Sequence, residues 1–247
     1  MITYEEETHT YRDNKQSVFI SATDLVKAHK QPYDQNASAE RYAKKNGKTA
    51  EHWIAIWEEK RIKSSERGNK FHQEKEEQIK GRGIVKYNNQ IVYIKNEHLC
   101  YEANPDLRAL NNGLYSELLV WDVGFKIAGQ LDICVIRNEG PIRFVDIDDH
   151  KTNERIDLVS YQFKGSNNHK MMLHPISHLM DCHFTHHALQ ISIYAFMMER
   201  QGYSVGNLSF THYSEEASPV VYPIPYLKKE VLAILNHRRK NEYRKRN

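Results

Sequence analysis

The stretch Ile127–Asn153, I-A-G-Q-L-D-I-C-V-I-R-N-E-G-P-I-R-F-V-D-I-D-D-H-K-T-N, decides how the chain is read. Ile127 to Ile136 is mostly apolar and rich in β-branched residues, interrupted by Gly129, Gln130 and Asp132. Arg137-Asn138-Glu139-Gly140-Pro141 has turn chemistry. Ile142 to Ile147 is a second strand-like run, and it ends in Asp148-Asp149-His150-Lys151. An apolar strand does not readily accept Asp132, Asp149 and Lys151, because a buried charge is costly unless it is paired or bound to a metal. Asp149 and Lys151 stand two apart, so on an extended strand they share one face. Two carboxylates and an ammonium converging at strand ends suit a divalent-metal site acting on phosphate.

Upstream of this stretch, residues 1–15 are polar and read as an edge strand or a loose lead-in, and Ser17 to Ile20 as a short strand. Ser21 or Thr23 can cap a helix that starts near Asp24 and breaks at Gln31-Pro32-Tyr33-Asp34. From Ala37 to Lys80 the pattern is helical, with Trp53, Ile54, Ile56 and Trp57 as an apolar stripe. Ser64-Ser65-Glu66-Arg67-Gly68 is expected to interrupt it, so that a second helix, Asn69 to Lys80, carries Phe71 and His72 near its start. Gly81-Arg82-Gly83 reads as a turn, residues 84–95 as one or two strands, and Asn104-Pro105-Asp106 as a turn or helix start. Leu114 to Val123 is a strand with Glu117 in it.

Downstream, residues 157–175 read as a loop. Asp181 is placed to cap a largely buried helix from His183 to Gln201. Val205 to Tyr213 is a strand, Val220 to Ile224 another, and Tyr226 to Asn241 a last helix. No repeat, low-complexity run or linker divides the 247 residues. We expect one domain over 1–247: a largely helical N-terminal subregion over 17–80, a core over 84–213, and a C-terminal helix with a basic tail over 226–247.

Composition sets bounds. Apolar residues make up 40% of the chain, with 15 Tyr, 8 Phe and 3 Trp, enough for a sizeable core. No apolar run approaches the roughly 18 residues that span a membrane, and the acidic start M-I-T-Y-E-E-E-T is not a secretory signal. Cys100, Cys134 and Cys182 are scattered, which argues against a disulfide framework and against a four-cysteine zinc or iron–sulfur site. A reducing cytoplasm is the simplest setting, the host's for a viral protein. The net charge of +3 is carried by the tail, where Arg238, Arg239, Lys240, Arg244, Lys245 and Arg246 face Glu242 alone. That tail is either a solvated end or an arm for nucleic acid.

Five pieces fall in a particular order: Gly68-x-x-x-His72 on a helix, Glu117 on a strand, Gly129-x-x-Asp132, Asp149-x-Lys151, and Gln190-x-x-x-Tyr194 on a buried helix. This order resembles the PD-(D/E)xK nuclease superfamily, in particular its RecB-like exonuclease branch, over about Gly68 to Tyr194. The run M-L-H-P-I-S-H-L-M-D-C, with A-L-Q-I-S-I-Y-A after it, is also similar to versions encoded by crAss-like tailed bacteriophages. The resemblance implies an α/β fold, a central mixed β-sheet flanked by helices in a restriction-endonuclease-like core. It implies a metal-dependent DNA nuclease, an exonuclease working at ends or in single strands during replication, recombination or repair. Self-association, or replication and recombination proteins as partners, would fit that role.

On that resemblance Asp132 and Asp149 would bind one or two Mg²⁺ or Mn²⁺ ions. His72 would complete the shell, and the backbone carbonyl of His150 is a further candidate ligand. Glu117 lies where the family often has an acid near the metal or the DNA end. Lys151 would position the attacking water and stabilise developing charge. Gln190 and Tyr194, four apart on one helix face, would brace the site and contact DNA. Iron–sulfur cysteines have no counterpart here. The residue between Asp149 and Lys151 is usually apolar or aromatic and here is His150. Asp146 and Asp148 precede the motif and leave its register open, because a bulge would put Asp148 in the metal shell.

Plainer readings exist for each residue alone: His72 as a helix-start residue, Glu117 facing solvent, Asp149 and Lys151 as a strand-end salt bridge, Tyr194 as core. Trp53 and Trp57 suit a core role, or stacking on bases. His174, His178, His183, His186 and His187 with Cys182 suggest zinc, since His183 and His187 are four apart. The H-E-x-x-H glutamate is absent, which favours polar loop residues near a DNA channel. A restriction-type endonuclease shares the core chemistry, and a nucleic-acid-binding protein without activity shares the fold. The acids and lysine speak against the latter, and the Q-x-x-x-Y helix for the exonuclease branch.

Overall fold

In a computed structural model the chain is described over residues 2–5, 8, 10–82, 84–87, 90–93, 106–214 and 217–246, with 80–82, 84–87, 90–93, 245 and 246 as backbone only. The Ile127–Asn153 stretch forms its central pair of strands, β7 (Ile127–Glu139) and β8 (Ile142–Lys151). They pair antiparallel from Glu139↔Ile142 to Ile133↔Asp148. The turn is shorter than expected: the strand runs through Arg137–Glu139, and only Gly140 and Pro141 reverse the chain. Gly140 takes the left-handed conformation, φ 63°, that a two-residue hairpin turn requires.

The other elements, in chain order, are β1 (Ile2–Glu5), β2 (Thr10–Asp13), β3 (Val18–Ser21), α1 (Ala22–Lys27), α2 (Gln35–Asn46), α3 (Ala50–Arg82), β4 (Ile84–Tyr87), β5 (Gln90–Tyr93) and β6 (Gly113–Asp122). After β8 come α4 (His183–Glu199), β9 (Ser204–His212), β10 (Val220–Pro223) and α5 (Lys228–Arg246). Eight strands make one mixed sheet in the order β1-β2-β3-β7-β8-β9-β10, with β6 also paired to β7, and β4–β5 form a separate hairpin. The α/β architecture, a mixed sheet flanked by helices, is the expected one. β8 and β9 are parallel, so the chain must cross over between them, and α4 is the crossover helix.

α4 explains the main core. Residues from Ala188 to Met198 along it are buried apart from Gln190, and they pack on Leu118, Leu131, Cys134, Val145 and Ile147 of the sheet. α1 and α5 cover α4 in turn through Leu25, Val231, Ile234 and Leu235. On the opposite face Ile79 of α3 packs on Leu114, Ile133 and Val135. The N-terminal residues form two edge strands, and Ile2, Tyr11 and Phe19 make a smaller cluster with Leu119 and Ala128.

Four local expectations are corrected or leave the description. Ser64–Gly68 does not interrupt the long helix: α3 continues through it, and the break falls earlier, at Gly47, whose φ is 72°. Arg67 and Gly68 face Thr152, and Arg67 Nη2 donates to the Thr152 carbonyl at 2.7 Å, so tertiary contact outweighs the glycine's cost to the helix. Asp181 does not cap α4; the cap residue is Cys182, without a side-chain hydrogen bond. The Asp181 carboxylate instead accepts from the Gln31 N–H and pairs with Lys170 and His186. The last helix extends past Asn241 to Arg246, and Arg238 Nη1 donates to the Phe125 carbonyl at 2.7 Å, so the start of the basic tail is docked. Gly83, Ile94, Lys95, Asn104, Pro105 and Cys100 lie outside the described residues. Ser21 does cap α1, accepting from the Asp24 N–H.

Asp146, fully buried, shows how β9 is seated. It accepts from Arg137 Nε at 2.5 Å and from the Asn207 N–H at 2.7 Å, at the register shift between Val145 and Ile147. A Cβ on Gly206 would stand 2.1 Å from its Oδ1. Gly206→Ala should therefore destabilise the fold by about 1–3 kcal/mol through overpacking, read as a lower urea midpoint with an unchanged slope.

Candidate metal centre

β6 and β7 each carry one residue more than a regular ladder takes at one level. Tyr115 and Leu118 both enter the main core, and so do their cross-strand partners Cys134 and Leu131. Residues on one face of a strand are normally two apart, so a spacing of three marks an inserted residue. On β6 it is Glu117, whose backbone is left-handed at φ 54°. On β7 it is Asp132, because Ile133 lies with Leu114 and Val135 on the other face. The register is the same on both sides, Ser116↔Ile133 and Leu118↔Leu131, so the two acids leave the ladder as a facing pair. The left-handed backbone at a glutamate costs about 1–3 kcal/mol. Gln130 Nε2 holds it by donating to the Glu117 carbonyl at 3.2 Å.

The neighbouring edge opens at the same level. β7 leaves β8 after Ile133↔Asp148, while β8 continues along β9 to Lys151↔His212. β3 takes the same edge of β7 only at Ile127 and Ala128. Between them the Asp132 edge has no ladder partner among the described residues, and the His150 N–H donates to Asp132 Oδ2 at 2.6 Å instead.

α3 brings the imidazole. Gly68, Phe71, His72, Lys75 and Ile79 form a helical stripe toward the sheet. Phe71 packs on Tyr213 with ring centroids 4.6 Å apart, and Lys75 Nζ lies over both rings. His72 Nδ1 then stands 3.4 Å from Asp132 Oδ2 and 3.7 Å from Glu117 Oε1. One donor atom from each of His72, Glu117 and Asp132 falls within 4.8 Å of the others.

The charges of the cluster favour a cation among them. Burial alone would push the His72 imidazole down, yet the Asp132 and Glu117 carboxylates outweigh it and hold it up at about 10. Burial pushes Glu117 up to about 7, with the Asp132 charge adding to the shift. Asp132, itself buried, is nevertheless held below its usual range by His72 and then Lys151. The cluster attracts one positive charge to its centre, and a nitrogen and two carboxylates suit Mn²⁺ or Mg²⁺.

The second half of the site lies toward α4. Asp149 is paired with Lys151, and burial and then the Asp132 charge push it up to about 6, against the pull of Lys151. Lys151 Nζ donates to Gln190 Oε1 at 3.3 Å, and Gln190 Nε2 donates to the Tyr194 hydroxyl at 3.0 Å. The Tyr194 ring covers Gly129, where a Cβ would stand 2.4 Å from its Cε1.

Seven of the eight expected residues are thus near one another, in two groups: His72, Glu117 and Asp132, and Asp149, Lys151, Gln190 and Tyr194. Asp148 accepts from Ser209 Oγ at 2.6 Å and Thr211 Oγ1 at 2.8 Å, so its oxygens are engaged by β9. His150 contributes its N–H; its ring is buried against Phe71 and Tyr213, and burial pushes it down to about 4. Phe71, Lys75, Gln130 and Tyr213 were not singled out for chemistry by the sequence. Lys75 and Tyr213 carried a signal: three residues after His72 on one helix, and in step with Ser209 and Thr211 on one strand.

Two histidines of the run before and within α4 have separate acidic partners. His183 pairs with Asp157 at 3.2 Å and His186 with Asp181 at 2.6 Å. Among the described residues, the cluster that brings three potential metal ligands together is His72, Glu117 and Asp132. Trp53 and Trp57 are half-buried, edge-to-face with Tyr42 between α2 and α3.

No protein-family model matches the chain, and no curated protein matches it significantly. Among solved structures, one titled "Crystal structure of SSO0001" is similar at 14% identity and a TM-score of 0.34, over 88% of this chain and 73% of that one. Among the described residues no helix is long and apolar enough to cross a membrane.

His186 and His187 are both held neutral by burial, the first down to about 4 with help from Lys30, the second to about 2 with help from Lys151. In the unfolded chain an imidazole takes its proton near 6.5. Between 6.5 and about 4 the unfolded state binds more protons than the folded one, so stability falls as pH falls through that window. His187 Nε2 has no hydrogen-bond partner among the described residues. His187→Leu should flatten the loss between pH 6.5 and 4.5 in urea titrations while keeping the fold at pH 7.

Proposed function

We propose that the chain is a metal-dependent DNA nuclease of the PD-(D/E)xK type, acting as an exonuclease on ends or single strands. One observation carries the reading: Glu117 and Asp132 leave the β6–β7 ladder together, facing His72, with the Asp149–Lys151 pair beside them on β8. His72, Glu117 and Asp132 would hold Mg²⁺ or Mn²⁺, with Asp149 next to them. When bound, the ion supplies a polarised phosphate and an acidified water.

The chain's own groups do the rest. The His150 N–H fixes the Asp132 carboxylate. Lys151, aimed by Asp149 and Gln190, places a positive charge where an attacking water and a pentavalent phosphate would need it. Tyr194, seated on Gly129, holds the far end of Gln190. In-line attack on phosphorus, with a sugar oxygen leaving, asks for this combination of anchored carboxylates and one oriented cation.

Purified protein should degrade linear DNA with Mg²⁺ or Mn²⁺. Asp132→Ala and Lys151→Ala should each lower the rate by about a hundredfold or more, with unchanged circular dichroism. Full activity in both variants would overturn the site. Linear, closed-circular and single-stranded substrates compared side by side separate the exonuclease from an endonuclease of the same fold, which would open the circle. Calorimetric titration with Mn²⁺ reads the site without turnover. His72→Ala and Asp132→Asn should weaken binding about tenfold or more, whereas Asp148→Asn, whose partners are hydroxyls, should bind within about twofold of the unaltered protein.

A further inference from the structure

Between β8 and α4 a small hairpin stands out from the surface. Its backbone is tied across: the Lys170 N–H donates to the Tyr161 carbonyl at 2.8 Å, and the Phe163 N–H to the Asn168 carbonyl at 2.9 Å. Gly165, at φ 75°, turns its tip. Its root is fixed by Lys170 on Asp181 at 2.9 Å and by the Asp157 N–H on His183 Nδ1 at 3.3 Å. On this rigid support Tyr161 is 65% exposed and Phe163 49%. They are two apart, on one face, edge-to-face with centroids at 5.6 Å.

Leaving two aromatic rings in water is unfavourable unless something covers them. What surrounds them selects the occupant. From Leu158 to Met180 the chain has no Asp or Glu, Asp157 and Asp181 at the root are engaged by His183 and Lys170, and Lys164 and His169 lie on the hairpin itself. Gln162, Asn167 and Asn168 add uncharged amides to the same hairpin. The root meets the first turn of α4 at His183, and Gln190 lies on the same helix, roughly 10 Å along it at 1.5 Å per residue.

We infer that this hairpin holds the single-stranded part of a DNA substrate, two bases stacking on Tyr161 and Phe163 while their phosphates lie toward Lys164. The inference rests on the proposed nuclease reading. A duplex is the wrong occupant, because its bases are already stacked on each other, whereas unpaired bases are free to lie on the open ring faces.

The test is the affinity for a fluorescent oligothymidine of about a dozen nucleotides, in Ca²⁺ in place of Mg²⁺, with the same length of abasic sugars as a control. Tyr161→Ala/Phe163→Ala should raise Kd for the oligothymidine by about tenfold or more and change it little for the abasic strand. Tyr161→Trp/Phe163→Trp should bind as the unaltered protein does. With Mg²⁺ the alanine variant should show a raised KM at a kept kcat. Equal Kd values for the variant and the unaltered protein would overturn the inference and leave the rings to a protein partner. Equal losses on both strands would overturn stacking. The nuclease reading fails separately, if the unaltered protein neither binds nor cuts DNA.

Discussion

The site depends on one backbone irregularity shared by two strands. Glu117 and Asp132 are inserted opposite each other, so the β6–β7 register survives while the faces of both strands exchange. A single bulge would have shifted the ladder and turned every later side chain to the wrong side. The paired insertion keeps Leu118 and Leu131 in the core and still turns two acids out of it. It also coincides with the level at which β8 leaves β7, which gives the acids a place to point. Gln130 on the Glu117 carbonyl and the His150 N–H on Asp132 are the local bonds that make the irregularity tolerable.

A second dependence runs from the core outward. Gly129 has no side chain, so the edge of the Tyr194 ring can come up against β7. Tyr194 then reaches Gln190, Gln190 reaches Lys151, and Lys151 meets Asp149. The spacing of the Gly129 and Asp132 positions is thus mechanical as well as chemical: one admits the helix that orients the lysine, and the other faces His72. Burial would strip an isolated lysine of its proton, but the carboxylates of Asp149 and Asp132 outweigh it and keep Lys151 charged.

The strands and the buried helix were legible because their signals are local. Alternating β-branched runs give β6, β7 and β8, and an unbroken apolar helix gives α4. The misplaced charges of the central stretch pointed to Asp132, Asp149 and Lys151 without any structure. The docking of α3 was not legible in the same way. Its contact stripe is Gly68, Phe71, His72, Lys75 and Ile79, too mixed in polarity to show as an apolar face, so the helix was expected to break where it docks. The doubling of Glu117 and Asp132 was hidden for another reason: an inserted residue on one strand is visible only once its partner strand is known. Asp181 was misjudged because a cap and a salt-bridge acceptor look alike in sequence; its partners, Gln31 and Lys170, come from elsewhere in the chain.

The sheet's topology has a kinetic corollary. β6, β7 and β8 are neighbours in sequence and close on one another through short connections. β3 reaches the same edge of β7 through Ile20↔Ile127, positions roughly a hundred residues apart, and contacts so distant are costly to close early in folding. The β6–β8 meander is therefore the natural nucleus, and the N-terminal strands and the α3 imidazole join a sheet already formed. On that order Glu117 and Asp132 would come together before His72 arrives, and the pair would stay open to solvent until α3 docks.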